Sequence, residues 1–214
     1  MSRESPILAS ACPPPRIRRL RRSELPEHPV ALARFLLGKT IVRAFPNHSP
    51  RLAGRIVETE AYLPNDAAAH SYIGPTPRNA SLFLRPGHAY VYFCYGMHFM
   101  LNVSAHRKGI GGGVLFRALE PIQGIERMMR NRGTRRLLDL ARGPGRVAQA
   151  LSIDRRFDGV DLCAPGLLWL ATAVRPAGEI GVSRRIGITR DAHLPYRFYE
   201  RGNPFVSGPR QLNS

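Results

Sequence analysis

The sequence predicts a single compact α+β domain, in which a curved, mostly antiparallel sheet is flanked by helices. With 214 residues and 43% hydrophobic residues, the chain can bury the core of one good-sized domain. Several segments rich in β-branched and aromatic residues follow one another through short turns, which is typical of hairpins and therefore of antiparallel pairing. Helical periodicity appears between these segments, and no internal repeat is present.

The N-terminal region differs in composition from the rest of the chain. It is rich in Pro and Arg and contains the run PPPRIRRLRR. We therefore expect residues 1–22 to form a disordered basic arm and residues 23–214 to form the domain. The segment HPVALARFLLG then predicts a helix, because Pro29 suits a first helical turn and Gly38 suits a C-terminal stop.

The remaining elements alternate between strand-like and helical segments. Strands are predicted at or near residues 40–45, 52–63, 90–94, 99–105, 111–121, 184–189 and 196–207, and helices at 122–133 and 143–153. Pro121 is expected to end the fifth of these strands. The intervening segment 65–87 is long, polar and turn-rich, which in a compact domain is usually functional or disordered.

The segment YVYFCYGMHF predicts a hairpin with a sharp bend at Gly96. Alternation places Tyr90, Tyr92 and Cys94 on one face of its first strand. Tyr95 stands at the turn, where side chains usually face solvent. The pattern alone does not explain a large aromatic residue at the tip of a hairpin.

The charge of the chain indicates an anionic partner. The chain carries 32 Lys+Arg against 15 Asp+Glu, a formal net charge of +17, and only Lys39 and Lys108 are lysines. Nucleic acid is the leading candidate, because guanidinium groups form planar bidentate contacts with phosphates and base edges. An anionic membrane surface is second. Genome-wide composition also produces an arginine bias, although it explains the excess over acidic residues less well.

The three cysteines are far apart and match no metal-ligand spacing and no disulfide framework. The histidines show no HExxH or clustered spacing, so no metal site is predicted. No apolar run approaches the length that spans a bilayer, and the N-terminal region lacks the apolar core of a signal peptide. These features predict an intracellular protein in a reducing compartment, without a membrane partner.

The strand RIVETEAY is the first candidate for chemistry. Alternation places Glu58, Glu60 and Tyr62 on one face, where a buried strand expects apolar groups. Either these residues form the solvent face of an amphipathic strand, or a carboxylate acts there as general base on water.

Three further features are candidates for a site. His70 is either a surface residue of the long loop or part of a site. Arg117, among apolar strand neighbours, is either a buried ion-pair partner or a group that orients water or phosphate. Gly143 precedes a helix whose amides could hold a phosphate, although no P-loop sequence follows.

Taken in order, the motifs GRIVETEAY, AAHSY, TPRN, YVYFCYGM, LN and RALEP, with the closing RFYERGNPFVS, resemble those of the 3-methyladenine DNA glycosylases of the alkyladenine type. The resemblance runs from about residue 31 to residue 207 and leaves the N-terminal arm outside. It implies a base-excision repair enzyme that rotates an alkylated or deaminated purine out of double-stranded DNA and hydrolyses its N-glycosidic bond.

The resemblance also implies roles for single residues. Glu60 matches the general base, and Arg117 matches a residue that helps to hold the attacking water. Tyr95 matches the intercalating residue that fills the gap left by the flipped nucleotide, and Met97 is assigned to the same insertion. Contacts to the DNA backbone are assigned to Arg78, Gly143 and Arg146.

The base pocket is assigned by the same resemblance. Tyr62, His70 and Tyr92 match residues that enclose the flipped base, and Tyr90 lies beside Tyr92 on the same strand face. Asn102 matches a residue that disfavours the 2-amino group of normal guanine.

The expected chemistry requires one acidic group and a water, so no cofactor is implied. Neither lysine stands in a site motif, which predicts a monofunctional enzyme that leaves an intact abasic strand. We expect a monomer in the bacterial cytoplasm, associated with the nucleoid. The alternative from another class is a non-catalytic nucleic-acid-binding protein, which the charge and the aromatic strands also suit.

Overall fold

Eight strands form one sheet in the computed structural model, which describes residues 17–46, 50–94, 96–209 and 211. The strands are β1 (Thr40–Arg43), β2 (Leu52–Tyr62), β3 (Ala89–Cys94), β4 (His98–Ser104), β5 (Gly113–Gln123), β6 (Leu168–Ala171), β7 (Ile180–Ser183) and β8 (Arg197–Glu200). Three α-helices in the same part of the chain pack on this sheet: α1 (Pro29–Leu36), α2 (Ile125–Arg132) and α3 (Pro144–Ala150).

Strand β2 is the centre of the sheet. The strand order is β3-β4-β5-β2-β1-β6, and all pairings are antiparallel. One edge of β2 pairs with β5, while its other edge pairs first with β1 and then with β8, which in turn pairs with β7. The sheet curls into a half-barrel, which confirms the predicted α+β class and the curved antiparallel sheet.

Helix α1 covers the middle of β2. Its buried residues Leu32, Ala33 and Leu36 recur at helical spacing and join the main apolar core of the sheet. The hydroxyl of Thr59 on β2 donates a 3.0 Å hydrogen bond to the carbonyl of Ala33, which fixes the helix over the strand. Gly38 ends the turn after the helix with a φ of +80°, as the sequence predicts for a stop.

The end of the predicted basic arm belongs to the sheet. Arg19 forms an isolated antiparallel β-bridge with Ala171 of β6, and the amide of Leu20 donates a 2.9 Å hydrogen bond to the carbonyl of Leu170. Leu20 is 2% exposed, so its burial and this backbone pairing hold the segment on the domain. Residues 17–22 are therefore ordered and packed, whereas residues 1–16 of the predicted arm lie outside the described residues.

The structure differs from the strand predictions at three places. Residues 184–189 form a loop, and the strand of that region is β7, which ends before it. Strand β6 was not predicted, because four apolar residues carry no periodicity that separates a strand from a helix. Strand β5 continues through Pro121, which is tolerated because β4 pairs only with residues 113–115 of β5 and leaves the later part of that edge without a strand ladder.

Within the described residues, no helix has the length and apolar character needed to cross a membrane.

Candidate active site

Two β-bulges in the centre of the sheet direct charged side chains to one point. The pairing of β2 with β5 shifts on either side of Glu58, which leaves Val57 and Arg117 without a directly opposed residue. Bulges bend a strand and redirect its side chains. Arg117 thereby reaches both acids of the strand, with Nε 3.0 Å from Oε1 of Glu58 and Nη1 3.2 Å from Oε1 of Glu60.

The two carboxylate oxygens of Glu60 have different surroundings. Oε1 accepts a 2.8 Å hydrogen bond from the amide of Ile186 and faces Arg117. Among the described residues, Oε2 accepts a hydrogen bond only from the hydroxyl of Tyr62, at 2.9 Å. Burial raises the pKa of Glu60, although Arg117 and these hydrogen bonds oppose the rise. A carboxylate with a raised pKa is well matched to accepting a proton near neutral pH.

Glu58 is also fully buried, but both of its oxygens are fully occupied by donors. Nε of Arg117 and Nε of Arg197 donate to Oε1 at 3.0 and 2.7 Å, and the amide of Ser207 donates to Oε2 at 2.6 Å. Burial alone would raise the pKa of Glu58, but the charges of the two arginines hold it below the ordinary value. Glu58 therefore fixes Arg117 beside Glu60. The interpretation of this strand face as solvent-exposed was wrong, because both acids are 0% exposed.

The loop after β7 closes the site, and sequence reasoning did not assign it a role. Arg185 is buried, forms an ion pair with Asp66 and lies 4.7 Å from the ring centre of Tyr62. The amide of the next residue, Ile186, donates a hydrogen bond to Glu60. Because this contact comes from the main chain, no side-chain motif in the sequence could indicate it.

An aromatic cavity of about 150 Å³ lies next to Tyr62, whose hydroxyl contacts the Glu60 carboxylate. The rings of Tyr90 and Tyr92 on β3 are stacked, with centroids 5.3 Å apart and planes at 29°. His70 meets Tyr92 edge-on at 4.4 Å, and its Nδ1 lies 2.8 Å from the hydroxyl oxygen of Tyr90. Burial and the charge of Arg78 lower the pKa of His70, so its imidazole is neutral at pH 7. Burial raises the pKa of Tyr90 to about 12, so its hydroxyl stays protonated.

Two further residues complete the wall of the cavity. Asn102 on β4 lies directly opposite Tyr90, is buried, and donates a 3.2 Å hydrogen bond from Nδ2 to the Tyr90 carbonyl. Tyr62, at the end of β2, lines the cavity and links it to Glu60 through its hydroxyl. The structure thus brings the five predicted pocket residues around one cavity, namely Tyr62, His70, Tyr90, Tyr92 and Asn102.

The hairpin between β3 and β4 extends from this cavity into solvent. Tyr95, the predicted intercalating residue, lies outside the described residues. Its neighbour Gly96 has a φ of +66°, which fits the predicted bend, and Met97 is 70% exposed. An exposed apolar tip of this kind is available for insertion into a partner.

The three residues that are predicted to contact the DNA backbone lie at two places. Arg78 is exposed near the cavity, with Nη2 3.4 Å from the carbonyl of Phe93 on β3. Gly143 precedes α3, and Arg146 in that helix is partly exposed and pairs with Asp139 at 3.1 Å. The start of α3 lies against the hairpin, because a Cβ added to Gly145 would come within 3.0 Å of the His98 ring.

Comparison with known proteins identifies the family. The family model described as methylpurine-DNA glycosylase matches residues 23–204. The chain belongs to the methylpurine-DNA glycosylase family. This membership confirms the resemblance that the sequence motifs indicate, and it covers β1 to β8 with all three helices.

Three curated relatives align with this chain over most of its length and over most of their own. A protein of Mesorhizobium japonicum is 62% identical over 89% of this chain and 91% of its own length. Proteins of Paraburkholderia phytofirmans and Koribacter versatilis are 47% and 51% identical, over 90% and 86% of this chain and 90% of their own lengths. Each carries the name "Putative 3-methyladenine DNA glycosylase".

Proposed function

We propose that this chain is a monofunctional DNA glycosylase of base-excision repair, which hydrolyses the N-glycosidic bond of damaged purines and leaves an abasic site in DNA. The observation that carries the proposal is the position of Glu60, a buried carboxylate with a raised pKa that a tyrosine hydroxyl links to an aromatic cavity. Family membership and the names of the relatives support the same activity.

A purine inside duplex DNA cannot reach Glu60 unless its nucleotide rotates out of the stack. The faces of Tyr90, Tyr92 and His70 would then hold the flipped base by stacking. Asn102 would stand against the 2-amino group of normal guanine and so discriminate against it. At the hairpin tip, Tyr95 and the exposed Met97 would fill the space that the nucleotide leaves.

Base release then requires water. A water that displaces the Tyr62 hydroxyl from Oε2 of Glu60 gives its proton to the carboxylate as its oxygen bonds to C1′, while the bond from C1′ to the base nitrogen breaks. Arg117 and the Ile186 amide hold Oε1 and fix the direction of Oε2. The carboxylate also stabilises the positive charge that develops on the sugar.

The proposed substrates are 3-methyladenine, 7-methylguanine, hypoxanthine and ethenoadenine. Alkylation at N3 or N7 makes the purine cationic and a good leaving group, whereas a neutral lesion needs a proton as it departs. Lys39 lies over the ring of Phe35, between α1 and β1, and neither lysine lines the cavity. A Schiff base with a side-chain amine is therefore not part of the proposal, and the DNA strand remains intact. A monomer acting on chromosomal DNA would work at the nucleoid in the cytoplasm.

The test is release of free base in EDTA from a duplex that carries one hypoxanthine and from methylated DNA. Release without strand cleavage supports a metal-independent monofunctional glycosylase. Strand breaks that appear without alkali or heat contradict the monofunctional assignment. Tight duplex binding without release from either substrate favours the alternative, a non-catalytic nucleic-acid-binding protein.

A further inference from the structure

A second cleft lies next to the hairpin tip. It is lined by arginines, none of which lines the aromatic cavity. Its volume is about 600 Å³. The hairpin contributes one wall and three arginines contribute another, so the cleft is lined by Met97, His98, Phe99, Arg43, Arg127 and Arg156.

Two of the three arginines of this cleft, Arg43 and Arg127, have no acidic partner among the described residues. Arg43 is 6% exposed, and its Nε has no hydrogen-bond partner among the described residues. Neither Arg43 nor Arg127 forms an ion pair with any residue that the structure describes. The acid of the cleft, Asp154, is held by Arg156 at 2.7 Å. Burial, together with the charges of Arg127 and Arg156, lowers the pKa of Arg43.

Aromatic rings hold two of these guanidinium groups in place. Arg43 lies 4.2 Å from the ring centre of Phe45 and 4.5 Å from that of Phe157. Arg127 lies 3.4 Å from the ring centre of Phe45. A stacked guanidinium has lost most of its side-chain freedom before it meets a ligand, so it binds an anion at a lower entropic cost.

The position of the cleft on the hairpin indicates which anion it could bind. Phe99 pairs with Phe93 across the hairpin and so lies on the face opposite to Tyr90 and Tyr92. If the hairpin separates the two strands of a duplex, the damaged strand lies on the face that carries the aromatic cavity, and the undamaged strand lies on the other face.

We propose that the cleft of Arg43, Arg127 and Arg156 binds backbone phosphates of the undamaged DNA strand opposite the lesion. The inference rests on the proposed function, because it requires the hairpin to enter duplex DNA. Phosphates supply the negative charge that the cleft lacks, and fixed guanidinium groups bind them through paired hydrogen bonds.

The experiment compares binding to a hypoxanthine-containing duplex with binding to the same damaged strand alone, over a series of salt concentrations. The variants are Arg127→Gln and Arg156→Gln, and Arg156 is exposed, so its exchange does not disturb the core. Arg201→Gln is the matched control, since it makes the same charge change at a partly exposed arginine paired with Glu179 after β8. Thermal unfolding verifies that each variant is folded.

We expect each cleft variant to bind the duplex about tenfold more weakly at low salt, as loss of one charged hydrogen bond predicts. The slope of log affinity against log salt should fall by about 0.9 for each lost phosphate contact. Affinity for the single strand, and the control variant, should not change. Equal weakening on duplex and single strand, or unchanged duplex binding by both variants, overturns the inference. The assay needs no base release, so an inactive wild-type protein would refute the proposed function without affecting this comparison.

Discussion

Replacing Glu60 and Glu58 by glutamine, one at a time, is expected to give opposite results. Glu60→Gln keeps the shape of the side chain and an oxygen for the Ile186 amide, but it removes the group that accepts a proton from water. Loss of a general base slows reactions by about 10²- to 10⁴-fold, and we expect base release to slow to that extent. Stability should not fall, because burial already disfavours the charged form of Glu60 and glutamine is neutral.

Glu58→Gln acts on the fold instead. It leaves the buried guanidinium groups of Arg117 and Arg197 without their shared counter-charge. Removing one partner of a buried ion pair costs about 3–5 kcal/mol, which in a domain of this size corresponds to a melting temperature lower by about 6 to 20 °C.

The pH dependence of stability separates the two acids further. The pKa of Glu60 is raised on folding, so the unfolded chain ionises first, and its contribution to stability falls as pH rises from about 4.3 through the folded pKa. The pKa of Glu58 is lowered, so its contribution is present above about pH 4.3 and is lost as pH falls through the folded pKa. The stability of Glu60→Gln should therefore lack the decrease above about pH 4.3, and the stability of Glu58→Gln should lack the decrease below it.

Single-turnover base release from pH 4 to 8 and thermal unfolding from about pH 2 to 8 measure these effects on both variants, since the contribution of Glu58 is lost only below about pH 4.3. Normal turnover by Glu60→Gln would remove Glu60 from the mechanism. A Glu58→Gln variant as stable as the wild type would refute the assigned division between a catalytic and a structural carboxylate.

Three other predictions concern the hairpin, the pocket and the catalytic pH. Tyr95→Ser should weaken binding to a damaged duplex by about 1–3 kcal/mol in an equilibrium binding assay without a change in melting temperature, and unchanged affinity would assign the insertion to Met97. Asn102→Ala should reduce the discrimination against normal guanine by about 1–3 kcal/mol, measured by chromatography of the bases released from undamaged DNA; no release of guanine would contradict its role. Release of 7-methylguanine should increase with pH as Glu60 ionises, with a midpoint above the ordinary glutamate value of about 4.3, and a midpoint at that value would refute the effect of burial.

The sequence predicted the side chains of the site better than the main-chain contacts and bulges that position them. Alternation along β2 and β3 placed Glu60 with Tyr62 and Tyr90 with Tyr92, because the side-chain period of a strand is fixed by backbone geometry. The family resemblance added Asn102 and decided between the two interpretations of His70. Alternation left open whether the acidic face is buried or exposed, since that depends on what packs against it.

The parts that were missed depend on contacts between distant segments. The Ile186 amide reaches Glu60 from 126 residues away along the chain and involves no side chain of its own. The bulge at Arg117 follows from a mismatch between two strands, which neither strand reveals alone. The burial of Leu20 could not be predicted, because one apolar residue within an arginine-rich run gives no pattern.

The bond between the Ser207 amide and Glu58 also has a consequence for biosynthesis. Its two residues are 149 positions apart, so the ribosome must translate a further 149 residues after Glu58 before this hydrogen bond can form. At about 5–20 residues per second, this separation corresponds to a delay of about 7 to 30 s. A nascent chain whose aromatic hairpin has just been translated therefore still lacks the main-chain donor that completes the surroundings of Glu58.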